Sequence, residues 1–124
     1  MIYLDTHVVV WLYAGQTEKL SEKVRSYINE NDIYISPIVS LELQYLLEIK
    51  RVTPKPQTVI SALSEAIGLN VCDKNFYQIV QCAQHYSWTR DPFDRIIVAH
   101  AGLNDNILAT KDQTILTHFK HAVW

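Results

Sequence analysis

Residues 90–101 read Arg-Asp-Pro-Phe-Asp-Arg-Ile-Ile-Val-Ala-His-Ala, and this run predicts a helix with a sharply defined start. Asp91 suits the N-cap position and Pro92 the first helical position, and a second carboxylate follows at Asp94 in the first turn. The same arrangement makes a good helix start without any catalysis. We therefore assign the capping role to Asp91, and we expect the helical geometry of Asp94 to aim its carboxylate across the ends of neighbouring strands.

Short apolar runs alternate with helical segments along the rest of the chain. The predicted strands are Ile2–Leu4, Ile33–Ile35, Leu69–Cys72, Ile107–Thr110 and a short edge strand at Ala122–Trp124. The other predicted helices are His7–Tyr13, Leu20–Asn29, Pro37–Ile49, Thr58–Ile67, Asn75–Tyr86 and Gln113–Leu116. Regular alternation of this kind is typical of a parallel sheet that is covered by helices on both faces.

Residues with strong local preferences mark several of the predicted helix ends. Ser21 and Ser36 suit N-cap positions, and Pro37 follows the second of them at the first helical position. Gly15 and Gly68 suit the ends of the first and fourth helices, where a left-handed backbone is common.

The size and composition of the chain predict a single globular domain. Its 124 residues are 48% hydrophobic and 19% charged, which excludes a disordered chain. Residues 53–57 contain two prolines and predict a stiff loop rather than a domain boundary. Cys72 and Cys82 have neither metal-site nor disulfide-framework spacing, as expected of thiols in a reducing compartment. No leader-like or membrane-spanning apolar segment is recognisable, so we expect a cytoplasmic protein.

Four acidic residues lie where the chain leaves a strand or enters a helix: Asp5, Glu42, Asp94 and Asp112. In an open parallel sheet such positions meet at the carboxyl edge, where ligands bind. Carboxylates gathered there make a site for a hard divalent cation. Local roles are the alternatives, because Asp5 and Asp112 could each cap the following helix and Glu42 could be stabilised by a helix dipole.

Repulsion within such a cluster is the physical reason to expect a metal. Two carboxylates about 4 Å apart repel each other by roughly 4 kcal/mol at an effective dielectric constant near 20. Four of them are unfavourable together unless they are protonated or a cation lies among them. Local stability given up in this way usually has a functional reason.

Four segments of the sequence resemble the PIN-domain family and, within it, the VapC-type toxins of bacterial toxin–antitoxin pairs. They are Met1–His7 (Met-Ile-Tyr-Leu-Asp-Thr-His), Ser40–Leu43, Arg90–Ala101 and Leu108–Asp112. The resemblance implies a single PIN domain over residues 1–124, built as a three-layer α/β/α sandwich with a mainly parallel central sheet. It also implies a Mg²⁺- or Mn²⁺-dependent ribonuclease whose catalytic and metal-binding acids would be Asp5, Glu42, Asp94 and Asp112.

The chemistry expected from this set is hydrolysis of an RNA phosphodiester bond by a metal-activated water, leaving 3′-hydroxyl and 5′-phosphate ends. Asp5 and Asp94 are the expected direct ligands. Glu42 and Asp112 could bind a second metal, act through waters or orient the attacking water. Thr6 or Thr110 could add a hydroxyl contact at this site.

Three cations near the acidic set are candidates for RNA phosphate contacts: Arg90, Arg95 and Lys111. The alternative for them is a salt bridge to the carboxylates themselves. Trp11 and Trp88 could stack on bases, although packing is the more common role of such side chains. The five histidines do not converge in the sequence, so we propose no zinc site.

Two rival functions remain open, a phospho-receiver domain and a catalytically silent PIN-like module that binds RNA or protein. A receiver would need paired acids after the first strand and an acceptor aspartate after the third, where only Asp73 is present. If the chain is a toxin, we expect a VapB-type antitoxin to dock in an apolar groove near Trp11, Tyr13, Tyr45 and Leu46. We also expect a homodimer, which suits the apolar helix Pro37–Ile49.

Overall fold

The computed structural model describes all residues from Met1 to Trp124. Five strands are present: β1 (Ile2–Leu4), β2 (Ile33–Ile35), β3 (Asn70–Val71), β4 (Ile107–Ala109) and β5 (Ala122–Val123). Seven helices accompany them: α1 (Thr6–Tyr13), α2 (Glu22–Glu30), α3 (Pro37–Glu48), α4 (Pro56–Ile67), α5 (Phe76–Ala83), α6 (Pro92–Gly102) and α7 (Gln113–His118). A short 3-10 turn at Thr17–Lys19 precedes α2. None of the helices combines the length and the apolar character needed to cross a membrane.

The five strands form one sheet in the order β3-β2-β1-β4-β5, and all four pairings are parallel. The chain runs outward from β1 through β2 to β3, and then returns to pair β4 with the other side of β1. The strand order therefore reverses between β1 and β4. In open α/β sheets the crevice at such a reversal, outside the carboxyl ends of the strands, is where ligands bind.

Strand β1 shows why both faces of the sheet need helices. Ile2, Tyr3 and Leu4 are consecutive and each is at most 1% exposed. Because successive strand residues point to opposite faces, neither face can be open to water. The predicted three-layer α/β/α fold is confirmed, and the sheet is wholly parallel.

The predicted N-caps Ser21 and Ser36 are confirmed, and α2 begins at Glu22 rather than at the predicted Leu20. Ser21 accepts a hydrogen bond from Val24 N, and Ser36 accepts one from Ile38 N. Gly68 ends α4 with a left-handed backbone, at φ 71°. These ends were predictable because each depends on one residue and its immediate neighbours.

Several predicted boundaries are wrong. Helix α4 begins at Pro56, inside the segment predicted as a stiff loop, because proline fits the first helical position and Lys55 takes an extended backbone before it. Helix α5 ends at Ala83 rather than Tyr86, and the chain then turns towards α6. The predicted third strand is reduced to Asn70–Val71, which is an exposed edge of the sheet.

Candidate functional site

A polar cavity of about 380 Å³ lies at the carboxyl ends of β1 and β4. Its lining consists of Asp5, His7, Val8, Trp11, Glu42, Asp91, Asp94, Lys111 and Asp112. All four acidic residues singled out in the sequence are therefore brought together, although they come from four distant parts of the chain. Asp91, which the sequence assigns to capping, is the fifth carboxylate at this cavity.

Asp5 is the most buried of the acidic residues that line the cavity, at 8% exposed. It is the N-cap of α1, and its Oδ1 accepts a hydrogen bond of 2.8 Å from Thr6 N. Its Oδ2 accepts a second one, of 2.6 Å, from Thr110 Oγ1. Burial raises the pKa of the Asp5 carboxyl, and these two hydrogen bonds oppose that rise. Asp5 thus both caps the helix and lines the cavity, which the sequence presented as alternatives.

Glu42 reaches the cavity from the second turn of α3. One of its carboxylate oxygens accepts a hydrogen bond from Thr6 Oγ1. Burial raises the pKa of the Glu42 carboxyl, the Thr6 hydroxyl lowers it, and the nearby charge of Asp5 raises it again. Thr6 therefore joins two of the acids, by its backbone to Asp5 and by its hydroxyl to Glu42.

Asp94 projects from the first turn of α6, while Asp91 caps that helix as predicted. Asp91 Oδ1 accepts hydrogen bonds from Phe93 N at 2.9 Å and from Asp94 N at 3.3 Å. The Asp94 carboxylate makes no ion pair in the structure. Burial, followed by the charges of Asp91, Asp5 and two other acids, raises the pKa of Asp94 to about 7. The charges of the four neighbouring acids thus act on the Asp94 carboxyl in the same direction as its burial.

Asp112 has two roles in the structure. Its Oδ1 accepts a hydrogen bond of 3.0 Å from Ile115 N and so caps α7, while the residue also lines the cavity. The backbone N–H of Asp112 donates to Thr110 Oγ1 at 3.1 Å. The Thr110 hydroxyl thus connects Asp112 with Asp5 at the neighbouring ends of β1 and β4.

The three predicted RNA-binding cations are placed differently from one another. Lys111 lines the cavity. Arg90 is exposed and does not line it. Arg95 lines a separate pocket beside α5, and its Nε donates to Thr89 O at 2.8 Å. None of the three forms a salt bridge with the acidic set, so that alternative is wrong; Arg95 points away because its side chain bonds back to the loop before α6.

The aromatic candidates also separate. Trp11 lines the acidic cavity, whereas Trp88 lies parallel to the His118 ring at 5.2 Å and packs against the core. Tyr13 lines a second, mostly apolar groove of about 340 Å³ between α1, α3 and α4. Tyr45 is 49% exposed on α3. The aromatic residues of the predicted antitoxin groove, Trp11, Tyr13 and Tyr45, therefore lie in three separate places and do not line one groove.

The donor chemistry of the cavity suits a hard divalent cation. All of its carboxylates offer oxygen atoms, which Mg²⁺ and Mn²⁺ prefer. No three Asp, Glu, His or Cys side chains in the protein lie close enough to form a complete ligand set by themselves. Mg²⁺ usually keeps several waters and binds through one or two carboxylates, so a spacious acidic cavity fits a hydrated ion.

The structure gives no support to the phospho-receiver reading. Asp73, the acid that follows β3, does not line the cavity. The sheet order of receiver domains is 2-1-3-4-5, whereas here β2 lies between β1 and β3. The acceptor position of a receiver is therefore missing from the site.

Three solved structures share the fold of this chain. A chain of the crystal structure of VapBC2 from Rickettsia felis bound to a promoter DNA fragment matches with a TM-score of 0.68 and 20% identity, over 100% of this chain and 98% of that chain. A toxin–antitoxin complex from Klebsiella pneumoniae matches with a TM-score of 0.69 and 18% identity, over 100% and 97%. DNA-bound VapBC from Salmonella typhimurium matches with a TM-score of 0.64 and 21% identity, over 98% and 93%.

At these identities the structural matches show the fold alone. No curated protein sequence matches the chain significantly. The model of the PIN domain family matches residues 2–120, which is nearly the whole chain and includes all four acids that line the cavity. The chain belongs to the PIN domain family.

Proposed function

We propose that this chain is a single PIN domain over residues 1–124 that acts as a metal-dependent endoribonuclease, the toxin component of a type II toxin–antitoxin pair. The observation that carries the proposal is the single cavity that Asp5, Glu42, Asp94 and Asp112 all line. Membership in the PIN family supports a nuclease. The structural matches to VapBC and toxin–antitoxin complexes support the toxin role.

A bound Mg²⁺ or Mn²⁺ would supply an activated water and neutralise charge that develops on the phosphate. Asp5 and Asp94 are the proposed direct ligands. Asp5 is oriented by two hydrogen bonds, and Asp94 makes no ion pair that metal binding would have to break. Glu42 and Asp112 would hold metal-bound waters and orient the attacking one. The positions of these last two are set by Thr6 and by the start of α7.

The substrate phosphates need positive charge beside an acidic cavity. Lys111 is the only lysine or arginine that lines it, and it makes no salt bridge. We propose that Lys111 binds a phosphate next to the cleaved bond, with Arg90 in a more distant contact. Arg95 would contact an RNA phosphate only if the RNA extended from the acidic cavity to the separate pocket that Arg95 lines. Cleavage of cellular RNA implies action in the cytoplasm.

A VapB-type antitoxin is the proposed partner, since the structural matches include VapBC complexes. The groove between α1, α3 and α4 is mostly apolar and is lined by Val10, Tyr13, Leu43, Val52 and Val59 among others. It would accept the apolar face of an antitoxin segment. Co-expression with the neighbouring reading frame should suppress toxicity, and a Tyr13→Asp change in the groove should prevent co-purification. Failure of any neighbouring frame to suppress toxicity would contradict this partner.

The test of the nuclease proposal is cleavage of total cellular RNA with Mg²⁺ or Mn²⁺. The intact chain should cut RNA, EDTA should abolish cutting, and Asp5→Ala and Asp94→Ala should each abolish it. Asp73→Ala is the matched control, because Asp73 is an exposed acid outside the cavity. Equal cleavage by the intact chain and by all variants would contradict the proposal. RNA binding without cutting under any metal condition would favour a silent binding module instead.

A further inference from the structure

We propose that Trp11 is a stacking platform for an RNA base next to the cleaved phosphate, and that Lys19 and Lys111 grip the phosphates on either side of that base. The inference rests on the proposed ribonuclease function and deepens it, because it names a residue that positions the substrate. Trp11 lies on α1 and its side chain lines the same cavity as the four acids.

The faces of the Trp11 ring are free of parallel-stacked partners. Its aromatic neighbours are His7, with ring centroids 6.1 Å apart at 50°, and Trp124, at 5.8 Å and 62°. Both rings are inclined to the indole plane, so they support the ring without covering a face in parallel. No aromatic ring within the protein makes a parallel stack on Trp11, so a base that displaced a lysine from a face could adopt the geometry that base–aromatic stacking requires.

Trp88, unlike Trp11, has a ring face that is covered by a parallel aromatic ring of the same protein. Its ring lies at 5° to that of His118, with centroids 5.2 Å apart, and it lies outside the acidic cavity. Both tryptophans are partly buried against the core. The difference between them is that Trp11 combines inclined neighbours with a position beside the carboxylates. This makes Trp88 a matched control.

Two lysines lie over the Trp11 ring. Lys19 Nζ is 5.8 Å from the ring centroid and Lys111 Nζ is 6.0 Å from it. Neither forms a salt bridge, although Lys111 lines the cavity together with five carboxylates. An exposed lysine on an indole face is held only weakly. An incoming base could displace either ammonium from the ring and leave it free to bind the adjacent phosphate.

Stacking solves a problem that the charge of the site creates. Five carboxylates and one lysine line the cavity, so the rim repels a polyanion wherever no metal is bound. Base–aromatic stacking does not depend on charge, and it raises affinity by roughly 5- to 150-fold per base. A stacking residue beside the acids therefore supplies attraction where electrostatics does not.

The test compares the binding of two RNA probes by the full-length Asp94→Asn chain with Mg²⁺ present. One probe is a short, labelled, single-stranded RNA of random sequence, and the other is the same backbone without bases. Adding Trp11→Leu should weaken binding of the first roughly 5-fold or more and leave binding of the abasic probe unchanged. Trp11→Phe should lose less, and Trp88→Leu should leave the ratio of the two affinities unaltered. Equal losses for both probes, or no loss, would overturn the proposal.

The roles of Lys19 and Lys111 are tested separately, through the salt dependence of RNA binding. Lys19→Gln and Lys111→Gln should each reduce the slope of log affinity against log salt by roughly 0.7 for a single strand. Lys55→Gln, on an exposed lysine outside the cavity, is the control and should leave the slope unchanged. Unchanged slopes in both the Lys19 and the Lys111 variants would remove the lysines from the proposal.

A crosslinking experiment keeps the proposal testable if Trp11→Leu does not fold. Irradiating the Asp94→Asn chain with the same RNA containing 4-thiouridine should place an adduct on Trp11 by tandem mass spectrometry. Adducts confined to other residues would overturn the proposal. Cleavage by the unsubstituted chain is measured in parallel: if it cuts RNA while Trp11 proves irrelevant, only this inference fails. If it does not cut, the proposed function fails, and the probe comparison still decides the role of Trp11.

Discussion

The Thr110 hydroxyl donates a hydrogen bond of 2.6 Å to Asp5 Oδ2, across 105 positions of sequence. Thr110 Oγ1 also accepts a hydrogen bond from Asp112 N, so one small side chain contacts two of the acids that line the cavity. Thr110→Val removes this donor and leaves a buried carboxylate oxygen without its partner. We expect a loss of stability of about 1–3 kcal/mol and slower RNA cleavage. Urea unfolding and cleavage rates would measure the two effects.

Thr110→Ser is the control for this change, since it keeps the hydroxyl and loses only a methyl group. It should retain most of the stability and activity. A serine variant as impaired as the valine variant would mean that packing of the methyl group, and not the hydrogen bond, is what matters at Thr110.

Asp94→Asn should stabilise the metal-free protein at neutral to alkaline pH. The pKa of Asp94 is raised from 3.8 to about 7, so the folded state binds this proton more tightly than the unfolded state does. Its contribution to stability is fully present below the unfolded pKa and is lost as the pH rises through about 7. In EDTA at pH 8 we expect the asparagine variant to be more stable by about 1–2 kcal/mol, after allowance for solvent screening.

Calorimetry in EDTA across this pH range would measure the effect, and the gain should vanish near the unfolded pKa of 3.8. Asp73→Asn serves as the control, because Asp73 lies outside the cavity. A large drop in melting temperature for Asp94→Asn at pH 8 would show that Asp94 supports the fold and is not destabilised by its neighbours.

RNA cleavage should depend on pH through the same carboxyl. A proton on Asp94 competes with the metal for its oxygens, so activity should rise with pH at a midpoint at or below about 7. Raising the Mg²⁺ concentration should move this midpoint to lower pH, because the metal displaces the proton. Initial rates at several fixed Mg²⁺ concentrations would show the shift. A midpoint that does not respond to Mg²⁺ would separate the titration from metal binding.

Two substitutions of Asp91 separate its role as the N-cap of α6 from the effect of its charge on the pKa of Asp94. Asp91→Ala removes the cap of α6 and should cost about 1 kcal/mol of stability. Asp91→Asn keeps a capping oxygen but removes a charge that raises the pKa of Asp94. We therefore expect the asparagine variant to unfold like the parent chain while its activity midpoint moves to lower pH. If both variants lose activity completely at saturating metal, Asp91 is a ligand and not chiefly a cap.

The homodimer expected from the sequence can be tested on α3. Leu41, Tyr45 and Ile49 are 56%, 49% and 44% exposed, and their spacing of four residues places them in one stripe along the helix. Leu41→Glu should convert a dimer to a monomer in light scattering after size exclusion. Tyr77→Glu, on an exposed aromatic residue of α5, is the control. A parent chain that is monomeric at all concentrations would contradict the dimer.

The sequence by itself determined the features that depend on neighbouring residues. Asp91 and Ser36 specify helix starts because a side-chain oxygen and a nearby backbone N–H suffice for a cap. The alternation of apolar runs and helices determined the parallel sheet with two covered faces. From the sheet, the meeting of Asp5, Glu42, Asp94 and Asp112 at one edge followed as a prediction, since parallel strands end on the same side.

Only the tertiary structure decided which side chains share that edge and how they are held. Arg95 and Lys111 look alike as cations next to acids, yet one bonds back to Thr89 and the other lines the cavity. The bond between Thr110 and Asp5 exists because β4 pairs with β1, and that pairing brings together residues far apart in the chain. Local patterns carry no information about such contacts, because their geometry is set by strand order and packing across the whole domain.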